Sequence, residues 1–216
     1  MATEYIVRPY QTRDRELVLK IASDTAFFGE PVELFLEDRH IFMDAFYSYY
    51  VDQEPEHAWV TTYQGEVIGF LTGCTNTQRQ ETWFSKHGVP HVIKNLMRGA
   101  YKTGPLTWRC LRAYLFTFLR REGTNADLSL YPAHLHINID HQHRGAGLGR
   151  QLIQSYLEQL KNLQVPGVHL QTTSENISAC ILYEKIGFSQ LSSHSSQMWR
   201  WKLGRNIENR CYGLKI

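Results

Sequence analysis

The chain has 216 residues, 43% of them hydrophobic and 20% charged, with a formal net charge of +2. These are the proportions of a folded chain able to bury a full core, and they exclude a disordered or collagen-like segment. No apolar run approaches the ~20 residues that cross a bilayer, so no stable membrane association is expected.

The opening MATEYIVRPY lacks the charged-then-apolar pattern of a secretory signal. Cys74, Cys110, Cys180 and Cys211 are widely spaced and form no C-x-x-C pair. That spacing argues for reduced thiols in the cytoplasm, not for a zinc site or a disulfide frame. The charge balance says little about partners by itself, and no nucleic acid is expected among them.

Residues 4–10 (EYIVRPY) read as a short strand and 14–26 as a helix with Leu17, Ile21 and Ala22 inward. The loop FFGEPVE, 27–33, leads into a second helix expected over 34–51, with Leu36, Phe42, Phe46 and Tyr49 near one stripe. HAWVTTY and EVIGFLTGC, joined by Gln64-Gly65, form a hairpin. Gly69 and Gly73 in its second strand point to a bulge or to close packing.

Residues 75–130 are then too long for a plain connection and too rich in Trp, Leu, Tyr and Phe for disorder. Two helices are expected, at 91–102 and 105–122, with Pro105 suited to the first turn of the second. This stretch holds nine Lys and Arg against three Asp and Glu, so it carries +6 and the rest of the chain −4. Trp108, Leu111, Leu115, Phe118 and Leu119 fall near one helical stripe that needs a surface to bury against. The insert is expected to cover one side of a cleft; the same aromatics would also serve a homodimer contact.

The organising stretch is 131–149, YPAHLHINIDHQHRGAGLG. Leu135, Ile137 and Ile139 alternate with His134, His136, Asn138 and Asp140, the pattern of a strand with one apolar face. A glycine-rich turn follows, and then a helix over 150–163 with Leu152, Ile153, Tyr156, Leu157 and Leu160 at helical spacing. Such a turn offers free backbone N–H groups backed by the positive end of a helix, with no Cβ to keep an anion away. A phosphate or pyrophosphate cradle is expected at 145–150. It is no Walker A loop, since Gly-Lys-Ser/Thr is missing, and its G-x-G-x-G spacing does not match the dinucleotide fingerprint.

Residues 168–173 read as a strand, 176–185 as a helix opened by Ser174 or Asn176 and closed by Gly187-Phe188, and FSQLSSH with SQMWRWKL as a closing hairpin. The tail GRNIENRCYGLKI is polar with a few apolar anchors and has no assigned place.

Residues 176–188, NISACILYEKIGF, match N-x-x-A-x-x-x-Y-x-x-x-G-F, about thirty residues beyond R-x-x-G-x-G at Arg144, Gly147 and Gly149. In that order, with a helix and a strand between them, the two motifs resemble the GNAT superfamily of acyl-CoA-dependent N-acyltransferases. The likeness covers 131–203 well and the N-terminal third loosely. YPAHLHI is similar to a bacterial GNAT group and to the acetyltransferase-like domain attached to eukaryotic O-GlcNAc hydrolases.

The resemblance implies an α/β fold of the α+β kind in a single domain over 1–216. Its central sheet would be mixed, mostly antiparallel and flanked by helices, with a helical insertion between the third and fourth strands. It implies transfer of an acetyl group from acetyl-CoA to an amine by direct attack, without a metal. The acceptor would be a small molecule or a peptide, and its identity is not legible. The alternative is a non-catalytic module on the same fold that binds CoA or a partner.

The resemblance also distributes roles. Backbone groups of Gly145, Ala146, Gly147, Leu148, Gly149 and Arg150 would hold the pyrophosphate, with Arg144 starting the loop. Backbone groups of Ile137 and Ile139 would meet the pantetheine amides, and Asn176 would bond the pantetheine arm. Tyr183 would be the general acid that protonates the departing thiolate. His134 and His136, on the strand face towards the acceptor, are the candidate bases, with Glu30 and Asp140 behind them. Phe27 and Phe28 would border the acceptor. The H-x-H pair lacks a clear third ligand, so no metal is assigned.

Overall fold

The computed structural model describes residues 5–216. Glu4, expected to begin the first strand, and the reading of residues 1–4 lie outside the described residues. Among the described residues one sheet contains β1 (Tyr5–Pro9), β2 (Ala58–Tyr63), β3 (Glu66–Cys74), β4 (Ala133–Ile139), β5 (Gly167–Thr173), β6 (Ser189–Ser196) and β7 (Ile207–Lys215). The spatial order is β1-β2-β3-β4-β5-β7-β6. Every neighbouring pair is antiparallel except β4 with β5, which is parallel. This is the mixed, mostly antiparallel sheet that the resemblance implies.

Alternation along the strands gives the sheet two apolar faces. Phe70 of β3 faces a core with α1 (Arg15–Asp24), while its neighbour Leu71 faces the opposite core. That second core is filled by α7 (Leu148–Asn162) and α8 (Ile177–Ile186), with Leu135 and Leu170 beneath them. The β2–β3 hairpin forms as expected. Its register slips between Thr61 and Thr62, beside Gly69, which is the bulge that glycine signalled.

The expected long helix over 34–51 is broken. Asp38 caps α2 (Arg39–Phe42), its side chain accepting from the N–H of His40 at 2.9 Å. A π-helical turn, Met43–Tyr47, then separates α2 from α3 (Ser48–Asp52). The wider turn shifts the phase of everything after it. Phe46, expected inward, is exposed, and Tyr47 and Tyr50 turn in against β4 instead.

The insert contains α4 (Thr77–Trp83), a π-helical turn (Phe84–Gly88), α5 (Val89–Met97) and α6 (Pro105–Leu119). α4, unforeseen in the sequence, starts at an Asn76 cap whose side chain accepts from the N–H of Arg79 at 2.9 Å. The N-terminus of α6 is capped from far away. Glu37 accepts from the N–H groups of Leu106 and Thr107, both at 2.8 Å, and from the Thr107 hydroxyl. Burial pushes the Glu37 carboxyl up, but these hydrogen bonds win and hold it below the usual range. Gly104 is needed here, because a Cβ would come within 2.6 Å of the Glu37 carboxylate.

The stripe of α6 expected to be buried faces outward: Trp108, Leu115, Phe118 and Leu119 are exposed, while Thr107 and Cys110 are buried. The small residues fit the tight space against the first core, and the large ones do not.

The expected closing hairpin is also corrected. SQMWRWKL is not a strand. Met198, Trp199 and Trp201 pack on the first core, and α9 (Arg200–Leu203) ends at Gly204 with φ 73°. The partner of β6 is the unplaced tail, β7, which inserts between β5 and β6. Glu208, Asn209 and Arg210 in succession break its alternation. Backbone pairing on both edges holds it without that alternation. All four cysteines are free and buried. Among the described residues no helix is long and apolar enough to cross a membrane.

Candidate active site

β4 ends at Ile139, and Asp140 caps a short turn by accepting from the N–H of Gln142 at 2.9 Å. The chain then needs left-handed backbone twice, at Gly145 (φ 85°) and Gly147 (φ 79°), which favours glycine at both. Gly147 is the N-cap of α7, so the first amides of that helix point out of its end unpaired. A Cβ on either glycine would meet nothing within 4 Å, so the turn is open to a ligand.

α7 itself is fixed by the buried Leu152, Ile153, Tyr156 and Leu160. The Tyr156 ring lies where Gly73 has no side chain, and its hydroxyl donates to the carbonyls of Cys74 and His134 at 2.9 and 3.2 Å.

A cleft of about 380 Å³ runs past this turn. Its walls include Ile137, Ile139, Arg144, Gly145, Gly147, Leu148, Gly149, Arg150, Asn176 and Tyr183. Ala146 lies in the turn but not on the wall. Arg144 donates from Nε to the Ile139 carbonyl at 3.0 Å and lies across Gly29, where a Cβ would come 2.8 Å from its Nη1. Arg150 reaches the Lys185 carbonyl at 3.3 Å. Asn176, not Ser174, is the N-cap of α8, and its side chain makes no cap bond. Its amide is therefore left facing the cleft.

β4 and β5 pair only at Ala133–Val168 and His134–His169 and then splay apart. The N–H of Asp140 donates to Ile68 on β3. Backbone direction alternates along a strand, so Ile137 and Ile139 turn their N–H and C=O groups to the side away from β3, where the Ile139 carbonyl also accepts from Arg144.

The gap between the strands holds a second cavity of about 250 Å³. His136, Thr25, Phe28, Phe42, Tyr47 and Trp199 line it, with Gln171 to Thr173 of β5. The two cavities share Thr25, Gly29, Ile137, Asn138, Asn176 and Tyr183. Tyr183 thus stands at their junction. Burial, with Cys180 and Tyr212 nearby, pushes its phenol well above the ordinary range, so it stays protonated.

His134 lies outside both cavities, in a buried hydrogen-bonded row. The Thr77 hydroxyl donates to the Pro132 carbonyl at 2.8 Å, so it accepts from His134 Nδ1 at 2.7 Å. His134 Nε2 must then be an acceptor, and it takes the Tyr50 hydroxyl proton at 2.6 Å. The Tyr50 oxygen in turn accepts from His136 Nε2 at 3.1 Å. This assignment leaves His136 Nδ1 as a free lone pair on the residue that borders the second cavity.

Burial, with His169 nearby, lowers the pKa of His136 to about 4. Burial, with His136 and His169, lowers that of His134 well below the ordinary value. Both rings are neutral at physiological pH. Asn138 is held beside them, accepting from Tyr47 at 3.1 Å and donating to Thr25 at 2.7 Å.

Glu30 is exposed, Asp140 is committed to its turn, and neither lines a cavity. Phe28 lines the second cavity and Phe27 is buried beside it. Among the described residues no part of 75–130 lines either cavity. The insert braces the outside, through Thr77 to His134, Tyr101 to Asp44 and Thr107 to Glu37. The expected cover is a buttress. Among the described residues no group of three or more His, Cys, Asp or Glu could hold a metal ion.

The model of the Acetyltransferase (GNAT) family matches residues 120–188, which hold both motifs and β4. The N-acetyltransferase YobR of Bacillus subtilis, itself uncharacterised, is 27% identical over 154 residues, 71% of this chain and 54% of that protein. The chain thus spans about half the length of that curated relative. The crystal structure of SsHAT covers 98% of both chains at 28% identity with a TM-score of 0.74. The structure of yncA from Salmonella typhimurium, solved with its cofactor acetyl-CoA, covers 98% of this chain and 93% of that one. At 13% identity and a TM-score of 0.58 it shows the fold alone. The fold is GNAT-like, and family model and structural neighbours together support a GNAT-superfamily acetyltransferase.

Proposed function

We propose that this protein is an N-acetyltransferase that moves an acetyl group from acetyl-CoA to an amine acceptor by direct attack, with residues 1–216 acting as a single domain. The observation that carries this reading is the position of Tyr183. Tyr183 lines both the cleft beside the glycine turn and the cavity between the splayed strands.

The residues present fit the donor. Left-handed Gly145 and Gly147 bring unpaired amides of α7 to a pyrophosphate without a Cβ in the way. Arg144 and Arg150 border the same cleft. The open-edge backbone of Ile137 and Ile139 suits the amides of a pantetheine arm laid along β4 as a substitute for the missing β5 pairing, and the uncommitted Asn176 side chain adds a further partner.

In the reaction an N–C bond forms as the C–S bond breaks, the amine loses a proton and the sulfur gains one. Tyr183, kept protonated, donates to the sulfur. His136 accepts from the amine through Nδ1, and the chain through Tyr50 and His134 spreads the resulting charge over a row of hydrogen bonds. Its low pKa makes His136 a weak base, so the acceptor must enter near neutrality. The aromatic wall of Phe28, Phe42 and Trp199 suits the apolar flank of a small molecule or a peptide side chain. The free, buried cysteines support the cytoplasm as its location. The likeness of 131–137 to the group related to the O-GlcNAc hydrolase-attached domain is part of the same proposal.

Amine-dependent thiol release from acetyl-CoA across an amine panel tests the assignment. Turnover should fall by about 10²-fold or more in Tyr183→Phe with acetyl-CoA affinity nearly unchanged. Tight acetyl-CoA binding with no amine-dependent release from any acceptor would favour the non-catalytic module instead.

A further inference from the structure

α6 carries three faces. One is buried at Thr107 and Cys110, one is apolar and exposed, and the third is a stripe of Arg109, Arg112 and Phe116 that the C-cap residue Arg120 continues. That third face looks across a cavity of about 330 Å³ at Arg200 and Trp201 of α9. Four arginines, Arg109, Arg112, Arg120 and Arg200, therefore line one recess.

Two of them are held by aromatic faces. Arg109 lies 5.6 Å from the centre of the Trp201 ring and Arg120 lies 5.5 Å from that of Phe116. Arg120 also donates to Gln197 Oε1 at 3.1 Å and lies 3.7 Å from Glu122. Among the described residues Arg109, Arg112 and Arg200 have no carboxylate partner within 4 Å, the distance that defines an ion pair. The Trp201 indole N–H is likewise without a hydrogen-bond partner among them.

Like charges gathered within a Debye length repel, and an oxyanion with several acceptor atoms removes that repulsion while satisfying planar, forked donors. We propose that the recess between α6 and α9 is a binding site for a small, multiply charged oxyanion bearing phosphate or clustered carboxylates. The exposed edge of Phe116 and the Trp201 ring give it room for a planar apolar portion beside the charged one. The site is separate from the glycine turn, since the two cavities share no lining residue. It is joined to the gap between the splayed strands by sequence: Trp199, which lines that gap, is followed directly by Arg200 and Trp201.

The test uses the full chain saturated with CoA, so that the glycine turn is occupied. Inorganic pyrophosphate and citrate are titrated by calorimetry at constant ionic strength, the first as phosphate probe and the second as carboxylate probe. One of them should bind saturably with a dissociation constant below about 1 mM. The double variant Arg109→Gln/Arg112→Gln should weaken that binding by about tenfold or more with CoA affinity unchanged, which also shows that the variant is folded. Arg112→Lys should retain part of the affinity, as a point charge in place of a fork. Equal binding by wild type and double variant, or no saturation by either probe, would overturn the proposal. Failure of CoA itself to bind would instead strike at the reading of the glycine turn.

Discussion

The proposed cradle at the glycine turn and the gap between the splayed strands adjoin and share Tyr183, yet they are built from different material. The cradle is main chain. It uses seven consecutive residues, Arg144 to Arg150, and two backbone conformations that glycine favours. The gap is side chain. Thr25 and Phe28, Tyr47, His136 and Trp199 arrive from four separate segments, and three of those segments are held by hydrogen bonds or packing that cross more than fifty residues. A site of the first kind fails through a local change of backbone or charge. A site of the second kind fails through its supports.

The sharpest way to break that contrast is Gly147→Glu. The residue has φ 79°, and the new carboxylate would enter the space in front of the unpaired helix amides, where the proposal seats an anion. CoA affinity measured by calorimetry should fall by about 100-fold or more, near 3 kcal/mol. The gap should be untouched, so near-UV circular dichroism should hold. Undiminished affinity would mean that the turn is not the cradle.

The next effect belongs to the histidine row behind the gap. His134 and His136 are buried neutral, with folded pKa values below the unfolded value of about 6.5. Above pH 6.5 neither state binds these protons, and stability is flat from this source. Between about 6.5 and 4 the unfolded chain takes protons that the folded chain refuses, so stability falls as pH falls. Urea unfolding should show a loss from pH 7.5 to pH 5 on the order of 2 kcal/mol for each histidine. His134→Gln/His136→Gln should flatten that slope, and a slope equal to wild type would remove these histidines as its cause.

The same difference decided what the sequence could reveal. The glycine turn was legible because its signal is local: two glycines, an arginine before them and helical spacing after them. The strand alternation placed His134, His136 and Asn138 on one face correctly, and the β2–β3 hairpin and its bulge followed from Gln64-Gly65 and Gly69. What could not be read was which distant residue meets that face. Tyr50 was hidden because the π turn at Met43–Tyr47 shifts the phase of the helix, and no periodicity rule anticipates an extra residue in one turn. β7 was hidden because pairing on both edges relaxes its alternation, and α6 was read inside out because small residues make its close contact. Asp38 and Asn76, both good caps, were the signals available for the true starts of α2 and α4.

Tyr50 sharpens the contrast further, since it touches neither cavity and yet sets the proton positions on His136. In Tyr50→Phe the ring packing stays, but His134 Nε2 and His136 Nε2 lose their common partner. Amine-dependent turnover should drop about tenfold, with the pH profile altered and CoA affinity nearly unchanged. A uniform loss at every pH, matched by a loss of CoA affinity, would make Tyr50 a packing residue only.

The smallest effect comes from the outermost support. Glu37 caps α6 across roughly seventy residues of chain, and with Asp38, which accepts from the Lys102 N–H at 2.9 Å, it is how the insert grips the segment preceding α2. Glu37→Gln keeps an acceptor but loses the charge that favours a helix N-terminus, and one of its two acceptor oxygens becomes an amide. Gly104 fits closely around this carboxylate, so the amide must also sit against backbone N–H groups that it cannot accept from on both sides. The expected cost is about 1 kcal/mol in urea unfolding. If the insert is a buttress, that loss should come with a small rise in the KM for the amine and none in the Kd for CoA. The gap leans on α2 and α3, which lean on the insert, whereas α7 and the cradle rest on the opposite face of the sheet. A matching loss in CoA affinity would show that the two halves of the cleft are supported together, and the distinction between them would not hold.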